Sequence, residues 1–431
     1  MQKTLKVAIN AQLIPGSGVG GVENVLIGLV KALAQLDGPE QYVLIGPWEQ
    51  PDWLQPYTGT NQRIISGPRP AERLHRVPRG LRPLALKARR ALLNFLGSDI
   101  LHSGPDIPLS DGFYEQLGCD VIHFPYQAFT LCALPSIFNP HDLQHLHFPQ
   151  FFQPKQLLQR ETIYREACRY SHTVVTASQW IKDDILEHYP VSPNKIQIIP
   201  WAAPSKPYTE PTDDKLASVQ QKYGLNRPFT LYPAVSWPHK NHLRLLEALA
   251  LLRDRDHIRV NLVCTGVLNP FYHSQIQPRI LALNLAEQVQ FVGQVPGEDL
   301  RALYRLAEFV TIPTLFEAAS SMMFEAWQDR RPVTASTVTS LPEQAHGAAL
   351  LFDPYSIEAI ADAVKQMSTQ PDLRADLVRR GDQRLLDFDW ERTAKAYRAV
   401  YRRAALHPLT EEDQHLLSWD WMRNPTGEMN S

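Results

Sequence analysis

One unit recurs along this chain and constrains its fold more than anything else: a short β-branched or apolar run, a loop, then ten or more residues of helical periodicity. Such alternation is the signature of βαβ units, in which parallel strands are covered by crossover helices. Leu5 to Ile9 reads as the first strand, followed by a loop through Pro15 to Gly21 and an amphipathic stretch from Val22 to Leu36. Tyr42 to Ile45, Asp120-Val-Ile-His-Phe-Pro, Ser136-Ile-Phe-Asn-Pro, Thr173-Val-Val-Thr-Ala-Ser and Ile196 to Ile199 continue the series. Pro200 to Pro211, with four prolines and little periodicity, reads as a linker. The pattern then restarts, with strands expected at Phe229–Ala234, Arg259–Gly266, Val289–Val292, Phe309–Pro313, Val333–Ala335 and Ala349–Phe352. Helical stretches between them include His242–Arg253, Asp299–Leu306, Ser320–Asp329 and Ser356–Met367. The α/β class follows, with two Rossmann-like halves facing each other across a cleft.

Composition narrows the function. The chain has 431 residues, 44% hydrophobic and 20% charged, which suits two or three folded domains and excludes a mainly disordered state. Lys and Arg number 43 against 45 Asp and Glu, a net charge of −2 that argues against a nucleic-acid binder. The four cysteines (Cys119, Cys132, Cys168, Cys264) show no metal-binding or disulfide-framework spacing, which fits a reduced, cytoplasmic compartment. The most apolar region, Val121 to Phe138, is broken by His123, Pro125, Gln127 and Pro135, short of the ~18 apolar residues a membrane span needs. The N-terminus lacks the apolar core and cleavage site of a secretory signal.

Chemistry concentrates in Pro313-Thr-Leu-Phe-Glu317-Ala-Ala-Ser-Ser-Met-Met-Phe-Glu325-Ala-Trp, where two carboxylates stand eight residues apart at a strand-to-helix junction. On one helix, eight positions return to nearly the same face, and helix N-terminal amides can hold anions or sugar hydroxyls. Read alone, Glu317 is equally a first-turn acid favoured by the helix dipole and Glu325 a solvated helix residue. His145 and His147 follow His141 closely, but no carboxylate or cysteine completes a ligand set, so no metal site is expected.

The ordered set of motifs resembles the retaining glycosyltransferases of family 4, which have the two-domain GT-B fold. Glu317 and Glu325, Arg331-Pro-Val-Thr-Ala-Ser, Ser340-Leu-Pro-Glu-Gln and Ala348-Ala-Leu-Leu-Phe-Asp-Pro are similar to that family's C-terminal signature. Gly20-Gly21-Val-Glu resembles its glycine loop. Asp120-Val-Ile-His-Phe-Pro, Pro140-His141-Asp142-Leu, Thr176-Ala-Ser178 and Lys195-Ile-Gln-Ile-Ile-Pro200 are similar to later parts of its first domain. Trp237-Pro-His-Lys240-Asn241-His and Phe388-Asp-Trp390 complete the match.

The resemblance implies an N-terminal acceptor domain over 1–203 and a nucleotide-sugar domain over 212–388. It also implies a helix over 389–406 that returns to the first domain, ahead of a tail over 407–431. That tail is expected to be weakly ordered, although Leu416, Leu417, Trp419 and Trp421 offer packing surface.

Roles follow residue by residue. Glu325 would bond the ribose hydroxyls of the donor, and Glu317 would stand near its sugar. Lys240 would neutralise the diphosphate. Gly20 and Gly21 would let backbone approach phosphate or acceptor, with Asp142 in the same acceptor-facing region. His141 would lie across the cleft beside the sugar, and Ser320 and Ser321 would face the donor. The family mechanism requires no metal and no cofactor beyond the nucleotide sugar. The mannosyltransferase-like style of the motifs suggests GDP-mannose as donor and a glycan, lipid-linked or small-molecule acceptor. Two departures stand out: Ala318-Ala-Ser320-Ser321 replaces a glycine-rich stretch, and Ala234, Val235 and His239 occupy positions where the family commonly has glycine and arginine.

Between Glu72 and Asn94 lie Arg73, Arg76, Arg79, Arg82, Lys87, Arg89 and Arg90, interleaved with leucines. This basic segment suits peripheral contact with an anionic inner-membrane face or a lipid-phosphate acceptor, and equally a solvated helical insertion. The expected protein is a metal-independent hexosyltransferase. The competing readings are a non-catalytic GT-B sugar-nucleotide binder, a phosphorylase and an epimerase.

Overall fold

The computed structural model describes residues 4–15, 21–69, 107–204 and 210–421. Gly20, the basic segment from Arg73 to Arg90, and part of the linker lie outside the described residues. Among those described, the first half forms a seven-stranded parallel sheet. Its strands are β1 (Lys6–Asn10), β2 (Gln41–Gly46), β3 (Gln62–Ser66), β4 (Val121–Phe124), β5 (Ser136–Phe138), β6 (Thr173–Thr176) and β7 (Ile196–Ile198), in the spatial order β3-β2-β1-β4-β5-β6-β7. Its helices are α1 (Gly21–Gln35), α2 (Gln144–His147), α3 (Pro154–Tyr170) and α4 (Gln179–His188).

The second half is a six-stranded parallel sheet of β8 (Phe229–Pro233), β9 (Asn261–Thr265), β10 (Val289–Phe291), β11 (Phe309–Ile312), β12 (Val333–Ser336) and β13 (Leu350–Phe352), in the order β10-β9-β8-β11-β12-β13. Helices α5 (Asp213–Tyr223), α6 (His242–Arg255), α7 (Gln277–Ala282), α8 (Gly297–Leu306), α9 (Ser321–Gln328), α10 (Leu341–Ala345), α11 (Ile357–Thr369) and α12 (Pro371–Leu385) belong to it. Helices α13 (Trp390–Ala404) and α14 (Glu411–Ser418) follow.

Both sheets are doubly wound, and both reverse strand order beside their first strand, between β1 and β4 and between β8 and β11. Loops leaving the carboxyl ends of strands at such a switch point diverge and leave a crevice. The loops after β1, β8 and β11 therefore carry the candidate residues to one place. Strand β3 is absent from the sequence-based expectation because Gln62-Arg-Ile-Ile-Ser is a half-buried edge strand with only two apolar residues.

Helix α13 crosses back to the first sheet. It buries Ala394, Tyr397, Val400 and Tyr401 in a core shared with Val7, Ile9, Leu29, Leu33 and Leu44. Contact is close enough that a Cβ on Gly28 of α1 would collide with the Trp390 ring. Buried polar groups fix the register. Asn139 Oδ1 accepts from His123 Nε2 at 2.8 Å, His123 Nδ1 accepts from Tyr401 Oη at 2.8 Å, and Asn139 Nδ2 donates to Tyr397 Oη at 2.7 Å. One donor and one acceptor on the ring require neutral imidazole, and burial lowers the His123 pKa to about 4.

The expectation of a weakly ordered tail is corrected for residues 411–421. Thr410 and Asp413 form a capping box for α14, Asp413 pairs with Arg402 of α13 at 2.7 Å, and Leu416 and Trp421 are buried. Arg402 also bonds Glu40, so one guanidinium ties α13 to both the first domain and the tail.

Candidate active site

The loop after β8 and the loop after β11 are zipped together. Leu315 N donates to His239 O at 2.7 Å, Tyr232 Oη donates to Lys240 O at 2.8 Å, and Asn241 Nδ2 donates to both Pro313 O and Pro354 O at 2.9 Å. Asn241 holds φ +60°, a conformation its short amide side chain tolerates while making those bonds. This scaffold delivers Lys240 Nζ to Glu317 Oε2 at 2.7 Å, with side-chain exposures of 15% and 16%. His239 is held neutral, its pKa lowered to about 3 by burial and then by the Lys240 charge. Lys240 is thus the cation of this turn.

Glu317 and Glu325 do not share a helix face. Helix α9 begins at Ser321, so Glu317 sits in the preceding loop, where its amide donates to Thr339 Oγ1 at 3.1 Å. Glu325 lies one turn into α9 and accepts from Tyr304 Oη at 2.8 Å. Ser320 also differs from expectation. It is fully buried, its hydroxyl accepts from Met323 N as the N-cap of α9, and Gln344 brackets its backbone with bonds of 2.7 and 2.8 Å. A hydroxyl used for capping inside the protein is not presented to the cleft. Ser321 is half-buried and lines a cavity.

Two small, partly open pockets lie between the sheets, sharing Trp201, Ala319 and Phe324 as walls. The second is lined by Gly21, Asn24 and Val25 at the start of α1 and by Ala319 and Ser321 at the start of α9. A Cβ on Gly21 would meet nothing within 4 Å, so the glycine leaves open space at the cavity wall. His141 is buried at φ +66°, against Trp201 with centroids 5.1 Å apart. Its Nε2 donates to Pro125 O at 2.8 Å, burial lowers its pKa, and its Nδ1 is buried without a partner. Asp142 is spent locally, Oδ1 accepting from Gln144 N at 3.0 Å.

The residues that join the two halves carry no role in the sequence-based expectation. Glu343 of α10 accepts from Gln179 N at 2.9 Å and Trp180 N at 2.7 Å, the first amides of α4. Ser340 Oγ and Ser178 Oγ bond at 2.8 Å, and Ser178 caps the same helix through Ile181 N. Beside them, Phe316 packs against His147, Phe148 and Trp180 of the first half, with centroids 5.4 to 6.0 Å apart. The signal was present as Thr176-Ala-Ser178 and Ser340-Leu-Pro-Glu, but their pairing spans more than 160 residues.

Two family models match: Glycosyltransferase Family 4 over residues 19–203 and Glycosyl transferases group 1 over residues 215–384. The chain belongs to glycosyltransferase family 4. Among relatives of this family-4 chain, the O-antigen chain mannosyltransferase B of Escherichia coli is 26% identical over 60% of this chain and 69% of its own length. A D-inositol 3-phosphate glycosyltransferase of Salinispora arenicola is 24% identical over 93% and 91%. That of Corynebacterium glutamicum (strain R) is 25% identical over 54% of this chain and 57% of the relative, so some alignments span about half of the relative. Among solved structures, an Anabaena protein in complex with UDP and glucose superposes with TM-score 0.66 at 14% identity, covering 93% of this chain and all of that one. A glycosyltransferase from Rickettsia africae gives 0.63 at 16%, covering 93% and 99%. The family-4 chain therefore has the GT-B fold, two Rossmann-like domains with a cleft between them.

Proposed function

We propose that this chain transfers a hexose from a nucleotide-diphosphate sugar to an acceptor hydroxyl with retention of anomeric configuration. The observation that carries this reading is the convergence of two helix N-termini, α1 at Gly21 and α9 at Ser321, on one cavity between the domains. N-terminal amides lack intrahelical acceptors and sit at the positive end of the helix dipole, so an anion there gains from both sheets at once. A diphosphate is the anion that a family-4 donor would bring. Lys240 would move from Glu317 to the departing diphosphate, a point charge suited to a leaving group.

Glu325, positioned by Tyr304, would receive the ribose hydroxyls, and Glu317 would take sugar hydroxyls or steady the reacting centre. Neutral His141 offers Nδ1 as an acceptor for a sugar hydroxyl. Gly20 and Gly21 would admit phosphate or acceptor close to the backbone, with Asp142 shaping that side. In the transfer step the bond from the anomeric carbon to the phosphate oxygen breaks, the acceptor oxygen bonds the same face, and its proton passes to the freed phosphate oxygen. No divalent metal is assigned a step. GDP-mannose is the first donor to test, on the likeness to the O-antigen chain mannosyltransferases. A cytoplasmic location, with Arg73 to Arg90 meeting an anionic membrane face, would suit a lipid-linked acceptor. No nucleic-acid partner is proposed.

A second reading, a sugar-nucleotide binder without turnover, draws on Ala318-Ala319-Ser320 in place of glycines and on the Lys240–Glu317 pair. Calorimetric titration with a panel of nucleotide sugars, followed by turnover of the best binder, separates the two. Binding with turnover that Glu325→Ala and Lys240→Ala abolish supports transfer. Binding without turnover under any acceptor mixture supports the binder, and unchanged turnover in both variants removes these residues from the site.

A further inference from the structure

On the first domain, at the edge of the interdomain contact, His147 ends α2 while Asp184 and His188 lie four residues apart on α4. The i, i+4 spacing puts the carboxylate and the second imidazole on one helix face, and α2 supplies the third group from outside. His147 Nε2 lies 2.8 Å and His188 Nδ1 3.2 Å from Asp184 Oδ1, and the three ligand atoms all lie within 4.8 Å of one another. The two imidazoles are about 30% exposed, so an ion and its water have access, whereas the carboxylate is 3% exposed. The carboxyl group of Asp184 is only half used: both imidazoles approach Oδ1, while Oδ2 is buried without a hydrogen-bond partner. A buried carboxylate oxygen without a partner carries a desolvation cost that imidazole bonds to its neighbour do not relieve.

We propose that His147, Asp184 and His188 form a binding site for a divalent transition metal of the zinc class. Two imidazole nitrogens and a carboxylate, with a fourth position left to water, are a ligand set that this class accepts in tetrahedral geometry. Ligand atoms about 2.0–2.1 Å from such an ion lie roughly 3.3 Å from one another, close to the two shorter separations here, so small rotations of the rings suffice. Without the ion His188 Nδ1 donates to Asp184 O at 2.9 Å and His147 Nε2 to Asp184 Oδ1, so binding moves each ring proton to the other nitrogen, and the carboxylate can offer its second oxygen to the ion or its water. The carboxylate that the local sequence around His145 and His147 lacks is thus supplied by the fold. The site is separate from the cavity at Gly21 and Ser321. Because Phe316 packs on the His147 ring, a bound ion would also fix one face of the interdomain contact.

The test uses the full chain without a histidine tag, stripped with a chelator. Zinc chloride is titrated by calorimetry, and cobalt(II) is titrated while visible absorption is recorded. The proposal predicts one equivalent of metal, a four-coordinate cobalt spectrum bleached by zinc, and roughly tenfold or greater weakening in His188→Ala. His147→Gln serves as a second variant, and circular dichroism melting verifies that each variant is folded. Absence of stoichiometric binding overturns the proposal. So does equal affinity in folded His188→Ala and His147→Gln, which would place the ion elsewhere.

Discussion

Lys240 and Glu317 hold each other in the cleft, and this pairing sets what substitution at either should do. Lys240→Ala removes the cation assigned to the leaving group and strands a largely buried carboxylate. It is expected to lower kcat/KM by about a hundredfold or more, measured by donor turnover, with a smaller effect on donor affinity. Ser320 should behave differently, because its hydroxyl caps α9 and does not face the cleft. Ser320→Ala is expected to cost about 1 kcal/mol in urea denaturation while leaving the donor dissociation constant unchanged. The contrast shows how far a motif can be read. Glu317, Glu325 and Lys240 were legible as polar residues in an ordered family pattern. Which hydroxyl faces the cleft depends on where α9 begins, and helix starts are fixed by bonds such as Gln344 to Ser320, which local sequence does not display.

The helix–strand alternation marked most strands to within a residue or two, because parallel strands buried on both faces are continuous apolar runs. The exceptions have physical causes. β3 is a polar edge strand, and α14 is ordered by Arg402 and Asp413, a tertiary pair rather than a periodic stripe. The junction of α13 with β4 carries a pH prediction. His123 is neutral when folded, with a pKa of about 4 against 6.5 when exposed, so between those values the unfolded chain binds more protons. Stability from this group is present above pH 6.5, falls as pH drops, and is lost by about pH 4, to the extent of about 3 kcal/mol. Urea midpoints measured across this range should decline less steeply for His123→Gln than for the parent chain. The close approach of α1 to Trp390 carries another: Gly28→Ala should destabilise by about 1–3 kcal/mol in the same measurement, because the added methyl meets an indole ring.

At the scale of the whole molecule, the two sheets are joined by Glu343 on the N-terminus of α4, the Ser178–Ser340 bond and the aromatic contacts of Phe316. Burial raises the Glu343 pKa despite its two amide bonds, so the joint is polar and desolvated. Glu343→Ala leaves two helix amides without acceptors and is expected to open the cleft. A larger radius of gyration in small-angle scattering and a higher KM for donor would register it. The 35 prolines of the chain fit the same picture, since Pro125, Pro140, Pro238 and Pro313 stiffen loops where strands run out toward the cleft.

Glycosyl transfer with retention, from a nucleotide sugar bound between the domains, is the reaction proposed for this chain. Proton NMR of the sugar product, recorded early in turnover of the best-binding nucleotide sugar, tests it most directly. The first-formed anomer is expected to have the configuration of the donor, and Lys240→Ala is expected to suppress its appearance. An inverted anomer, or the same rate in Lys240→Ala, would contradict it.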